Sequence, residues 1–326
     1  MTTVKVADKK PLVTKLLLLE GHTRAGKFLL GNILDGFNGI EHYQYASRLE
    51  QISYLTMFGL VPDDVAKYLL RVTVDESAYD LHVGRNLNFR ASDKSSLLNS
   101  FDTGQYLERM FTESRNGDIA CVFKNGTRYS TYIAHECMPA MKLYFEMFPE
   151  MQVISILRHP VDLIYSWYKR GWCSRETEDA TSFLPCVEDG KNLVPWYGFG
   201  WSKEYRAMGQ MDRIITVMHK LAGMSQSHYA GLSATDKKKI LIITYEALVE
   251  DPPAIIASIS RFLKTTPQDF MPAILKKEGC PAVLSREKRE DKKKFIKKLA
   301  TQKRFAMMLA LAADYEKYSA TGNWVF

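Results

Sequence analysis

The sequence predicts an α/β fold: one central, mostly parallel sheet flanked by helices. Three observations carry this. Short apolar runs rich in Leu, Ile and Val (12–20, 153–157, 240–244) read as strands buried on both faces. Segments with helical spacing separate them, the alternation that builds a parallel sheet. Polar, anion-seeking groups follow the ends of the apolar runs, where ligands of such sheets sit.

Taken in order, residues 12–20 form the first strand and 27–37 the first helix. Glu41 to Tyr45, after a break at Gly39, form a short strand or a loop. Leu49–Leu60 and Asp63–Val72 are helical, the second started by Pro62 with Asp63 and Asp64. Residues 82–95 are a polar loop, and Thr103–Ser114 a helix. Ile119–Phe123 is β-rich and ends at a Lys124-Asn125-Gly126 turn. Thr131–Phe148 reads as a helix ended by Pro149. Val153–Leu157 is a strand, and Pro160–Arg170 a helix with proline at its start. Residues 173–200, rich in Gly, Pro and aromatics, read as an inserted lid. Lys203–Leu221 is a long helix, Ile240–Thr244 a strand, and Asp251-Pro252-Pro253 opens a helix to Leu263. A basic helical segment fills 285–326. The chain reads as a single domain, 1–326.

The chemistry starts at the first strand. Gly21-His22-Thr23-Arg24-Ala25-Gly26-Lys27-Phe28 is a tight loop feeding a helix. Its glycines expose backbone N–H groups, the helix dipole adds partial positive charge, and Arg24 and Lys27 add full charges. The spacing is that of a nucleotide P-loop, except that Phe28 replaces the magnesium-binding Ser or Thr. It therefore suits a phosphate bound without metal. Lys124, Arg158 and Tyr245 each follow a predicted strand as well. The net charge of +7 agrees with an anionic ligand.

Arg158, Pro160, Asp162 and Ser166 form a second motif in which a strand-end Arg and a helix hydroxyl grip one phosphate. With the first loop it resembles the sulfotransferase superfamily, which uses 3′-phosphoadenosine 5′-phosphosulfate (PAPS). Tyr245, Glu246, Leu248, Asp251 and Pro252 match a later family element, and the resemblance covers about residues 14–37 and 118–264. It implies a three-layer domain of the P-loop NTPase type. It implies a co-substrate site made of His22, Thr23, Arg24, Ala25, Gly26, Lys27, Phe28, Arg158, Ser166 and Tyr245. The usual Ser at Ala25 and the usual Thr-Thr at Lys27-Phe28 are missing. Arg24, Lys27 and Lys124 become the cations that stabilise the leaving oxygen, each worth on the order of 10²–10³ in rate.

Cytosolic family members place a His two residues after such a Lys, where this chain has Gly126. Other branches, including those acting on glycans, use a Glu after the first helix. Glu41 is therefore the expected base, with His42 as the alternative. His82 and His135 are weaker candidates, His135 because it falls in a predicted helix. Arg85, Asn86, Asn88, Arg90 and Asp93 either bind a polar acceptor or solvate their loop.

The expected activity is sulfuryl transfer from PAPS to a hydroxyl or amine, a carbohydrate among the candidate acceptors, with no metal and no nucleic-acid partner. Two rivals stay open: a magnesium-dependent P-loop kinase, and a non-catalytic nucleotide or anion binder. Five scattered cysteines, no signal pattern and no run near the ~20 apolar residues of a membrane span point to a cytoplasmic protein.

Overall fold

The computed structural model describes residues 5–7, 9–113, 116–126 and 128–321. The expected helix end at residue 114 and the last residues of the basic segment, 322–326, lie outside these, as do residues 1–4 of the expected domain.

Strand β1 (Leu16–Glu20) is buried along its whole length and leads through the anion loop into helix α1 (Lys27–Leu34). Strand β2 (Gln44–Tyr45) follows, then helices α2 (Ser47–Met57), α3 (Asp63–Val83), α4 (Thr103–Phe111) and α5 (Asn116–Lys124). Strand β3 (Ser130–Ile133), helix α6 (Met141–Met147), strand β4 (Gln152–Leu157) and helix α7 (Pro160–Lys169) come next. A hairpin, β5 (Cys186–Asp189) and β6 (Asn192–Pro195), stands inside the expected lid. Helices α8 (Ser202–Ala207), α9 (Gln210–Gly231) and α10 (Ala234–Lys237) lead to strand β7 (Ile240–Thr244). Helices α11 (Tyr245–Glu250), α12 (Pro252–Leu263), α13 (Met271–Lys277), α14 (Arg286–Leu299) and α15 (Gln302–Thr321) complete the chain.

The main sheet has the order β2-β3-β1-β4-β7, and every pairing in it is parallel. All five carboxyl ends therefore share one edge. The chain leaves β1 at the centre of that edge, where connections run off to either side, the usual ligand crevice of such sheets. Alternate residues of β1 face opposite layers. Leu17 and Leu19 pack with residues of α1, α7, α9 and α12, while Leu16 and Leu18 pack with residues of α2, α3 and α6. The sheet is thus the middle of three layers, and β1 is apolar on both faces, as its unbroken Leu run requires.

Three predicted elements are corrected. The β-rich run Ile119–Phe123 is helical, inside α5: Ile119 is buried, Phe123 four residues later is half-buried, and Cys121 and Val122 are exposed. One buried stripe at helical spacing overrides the β-propensity of Ile and Val. The expected helix Thr131–Phe148 begins instead as β3, because Thr131, Tyr132 and Ile133 fill the slot beside β1. Helix begins only after the loop of residues 134–137. The expected helix Lys203–Leu221 is two, α8 and the longer α9. Among the described residues no helix is long and apolar enough to cross a membrane.

Candidate active site

The anion loop turns as its glycines dictate. Gly21 sits at φ 138° with the Ile156 carbonyl oxygen 2.4 Å from where a Cβ would stand. Gly26, at φ 115°, leads into α1 with the Tyr245 ring 2.5 Å from its missing Cβ. Any side chain at either position would be strained and would collide.

The second motif lies against this loop. Arg24 donates through Nε to the Ser166 hydroxyl (3.2 Å), and Arg158 donates to the Arg24 carbonyl (2.9 Å). The Arg158 guanidinium lies 4.2 Å from the centre of the Tyr245 ring. Burial, then Arg170 and Arg158 nearby, pull the Arg24 pKa below its ordinary value. Cations gathered this closely repel one another and favour an anion among them.

Lys27 does not face the opening. It is only 2% exposed, and its ammonium donates to the carbonyls of Gly21 (2.5 Å) and His22 (2.8 Å). Burial pulls its pKa down against Glu136, Glu20 and Glu50, which raise it. Its expected role as a cation at the leaving oxygen is replaced by holding the loop closed on itself. Phe28 packs edge-on against Tyr43.

Lys124, Glu41 and His42 are not at this edge. Lys124 ends α5, whose Phe123 carbonyl accepts from Thr14 just ahead of β1. The Glu41 amide bonds the Tyr129 carbonyl, ahead of β3. Both therefore lie at the amino ends of the strands, and the five residues of β1, about 16 Å at roughly 3.3 Å per residue, separate that end from the loop. Glu41 is buried against Arg109 (2.9 and 3.1 Å), Arg128 (3.1 Å) and the Tyr106 hydroxyl (3.1 Å). Burial raises its pKa, but Arg109 and Arg128 outweigh it and hold the carboxyl below its usual range. His42 is 1% exposed and bonds Asp35 at 2.7 Å. His82, in the last turn of α3, borders this same group.

At the carboxyl edge stands a histidine that the expected helix had hidden. His135 lies two residues past β3. Its backbone N–H and ring Nδ1 meet Glu50 Oε1 of α2, at 2.9 and 2.5 Å. Next to it, Glu136 accepts from the Thr23 amide of the anion loop at 2.7 Å. Burial raises the Glu136 pKa, but His22, His135 and Lys27 around it prevail and bring it down to about 2. Trp167 of α7 donates to the Thr23 carbonyl at 2.8 Å.

Thr23, Glu50, His135 and Glu136 border a cavity of about 230 Å³. Tyr45, Tyr54, Trp167, Trp172, Trp196 and Tyr197 form its walls, with Phe183 of the expected lid at the rim. Tyr54 and Trp196 stack at 4.2 Å. Trp172, Trp196 and Tyr197 thus do more than pack the lid, whereas Trp201 packs on Tyr205. The polar groups of residues 85–95 are met by the end of α3 and within the loop: Asn86 bonds Asp80 of α3 (2.7 Å), and Asn88 bonds Asp93 (3.1 Å) and Ser95 (3.2 Å).

Asp162 and Glu246, which the sequence offered only as motif letters, anchor the C-terminal helices. Asp162 binds Arg289 (2.9 Å) and Lys292 (2.5 Å) of α14, and Glu246 binds Tyr315 of α15. Part of the basic segment is therefore paired into the fold.

A model of the sulfotransferase domain family matches residues 138–320, more than half of the chain. The chain belongs to the sulfotransferase family. The match takes in Arg158, Ser166 and Tyr245. Among solved structures, a sulfotransferase domain from the curacin biosynthetic pathway is similar at 14% identity and TM-score 0.50, over 93% of this chain and 98% of that one. A sulfotransferase domain of the Synechococcus PCC 7002 olefin synthase shares 15% identity at TM-score 0.43, over 97% and 91%. A sulfotransferase from Alicyclobacillus acidocaldarius shares 14% at TM-score 0.41, over 92% and 96%. Among curated proteins no match was found.

Proposed function

We propose that this chain moves the sulfuryl group of PAPS to a hydroxyl acceptor by in-line displacement. One observation carries the reading: the Arg24–Ser166–Arg158 cluster and the His135–Glu50 pair flank the same loop at the same sheet edge. Arg24, Arg158 and Ser166 hold the 3′-phosphate, and Tyr245, against Gly26 and Arg158, borders the adenine. The N–H groups that open α1 receive the 5′ end.

His135 is the base in this proposal. Glu50 engages Nδ1, which leaves Nε2 to take the proton of the attacking hydroxyl, and the carboxylate stabilises the imidazolium that forms. The family's His stands two residues beyond a strand-end Lys. With β3 ending at Ile133, that spacing falls on His135, and the Lys position holds Ile133. The missing cation leaves the N–H groups that open α1 to stabilise the leaving oxygen.

The acceptor enters the aromatic cavity beside Thr23. Its aromatic walls suit a small molecule or the end of a glycan, whose rings lie flat on aromatic faces. Five unpaired cysteines support a reducing, cytoplasmic setting.

Calorimetric titration with adenosine 3′,5′-bisphosphate, beside ATP with magnesium, tests the donor. Tight, metal-independent binding of the bisphosphate that Arg158→Ala abolishes is the expected result. ATP binding that requires magnesium, with none of the bisphosphate, overturns the proposal in favour of a kinase.

A further inference from the structure

We propose that Glu136 is a positioning residue. It is a strut that pre-forms the anion loop and ties it to the strand end carrying His135, in place of the hydroxyl contacts this loop lacks. The inference rests on the reading of residues 21–28 as the donor loop.

Three observations meet at this side chain. First, Glu136 is in the left-handed region at φ 51°, sparsely populated for a residue other than glycine. Such a conformation persists where the surroundings over-determine it, and it gathers at functional sites. Second, its carboxylate is 5% exposed and reaches the anion loop from the side of the acceptor cavity. It accepts from the Thr23 amide at 2.7 Å and faces the Thr23 and Tyr54 hydroxyls, each 3.5 Å away. His22 Nδ1 lies 3.8 Å off. Third, the next loop residue, Arg24, is itself left-handed at φ 74°. The peptide that Glu136 grips therefore sets the turn that aims Arg24 at Ser166.

The loop's composition explains the need. Ala25, Lys27 and Phe28 offer no hydroxyl to brace it. Lys27 braces it from inside through two carbonyls, and Glu136 braces it from outside through an amide. A bond from a backbone N–H to a buried carboxylate is among the stronger ones available. Because Glu136 directly follows His135, the same short segment fixes the donor loop and the base relative to each other. In-line transfer demands that registration.

The test compares wild type with Glu136→Gln and Glu136→Ala by hydrogen–deuterium exchange across residues 21–28, and by calorimetry with adenosine 3′,5′-bisphosphate. Gln keeps an acceptor oxygen, and Ala removes it. In the free Ala variant, loop exchange should rise tenfold or more and return to the wild-type rate when the bisphosphate binds. Its affinity should fall about tenfold or more, because binding must now order the loop. The Gln variant should exchange within about threefold of wild type and bind at least as tightly, having lost a like charge near the anion. Should the Ala variant not fold, Glu136→Asp, one methylene shorter, takes its place. Wild-type exchange and affinity in the Ala variant overturn the proposal. So does a Gln variant as damaged as Ala, or exchange that rises equally in the β-strands. If wild type itself fails to bind the bisphosphate while Ala still loosens the loop, the strut stands and the donor assignment falls.

Discussion

Replacing Glu41 by Gln separates a carboxylate that holds the fold from one that takes a proton. Glu41 is 8% exposed and makes two short bonds to Arg109, whose side chain is 16% exposed, and one to Arg128, which is 49% exposed. The Arg128 contact is largely screened by water and counts for little. Breaking the buried Arg109 pair costs about 3–5 kcal/mol in general, and Gln retains one acceptor oxygen, so the expected loss is about 2–3 kcal/mol. With an unfolding entropy of about 2.1 cal/mol/K per residue, the whole chain gives roughly 0.7 kcal/mol/K, and Tm should fall by about 3–4 °C. The folded pKa of Glu41 is depressed, so its contribution is complete above the ordinary value of 4.5 and is lost as pH falls through the lower folded value. The Tm gap between wild type and variant should therefore close below pH 4.5. Thermal unfolding across pH 3–7 reads this, and turnover of PAPS with an acceptor found by screening should stay within about twofold. An unchanged Tm combined with lost turnover would refute the reasoning and return Glu41 to the role of base.

The base assignment predicts the reverse pattern for His135→Asn: turnover down about 10²–10⁴-fold with bisphosphate affinity within about threefold, read by steady-state kinetics beside calorimetry. Glu50→Gln should lower kcat more than it raises the donor KM, since it acts through His135; equal effects on both would argue against it. Gly26→Ala should cost stability and donor binding together, because its Cβ would stand 2.5 Å from the Tyr245 ring at a φ of 115°. Pairing it with Tyr245→Ala should restore part of the loss, seen as a Tm above that of Gly26→Ala alone. Asp162→Asn should weaken the hold on Lys292 and leave Arg289 only its Glu246 partner (3.4 Å), so that deuterium exchange in residues 286–299 rises while that in β1 and β4 does not.

The anion half of the site was legible because its signals are local. Leu16–Leu19 must be buried on both faces, Gly21 and Gly26 must turn, and the eight-residue step from Arg158 to Ser166 is set by one strand end and one helix. None of these depends on which strands are neighbours. The family motifs add to a reading that the residues already support. The same locality let Asp162 and Glu246 appear as motif letters while hiding their partners: Arg289 is 127 residues from Asp162, and no short window holds both.

A single strand decides whether the sequence points to Glu41 or to His135, the residue proposed here as the base. Ile119–Phe123 and Ser130–Ile133 are both short, apolar and rich in β-formers, and only tertiary context chooses between them. The slot beside β1 accepts one. Choosing the first puts the strand end at Lys124 and leaves Gly126 where a histidine is wanted, which turns attention to Glu41. In a parallel sheet that choice also changes the end of the molecule, because residues after a strand lie at the carboxyl edge, with the anion loop, and residues before it lie at the opposite one. The signal that corrects it is present in the turn residues Lys124-Asn125-Gly126. They stand between the two runs, so a strand after the turn carries its end onto His135 at the edge where Arg158 also emerges. Requiring every polar strand end to share one edge with Arg24 therefore discriminates between the runs better than the propensity of either.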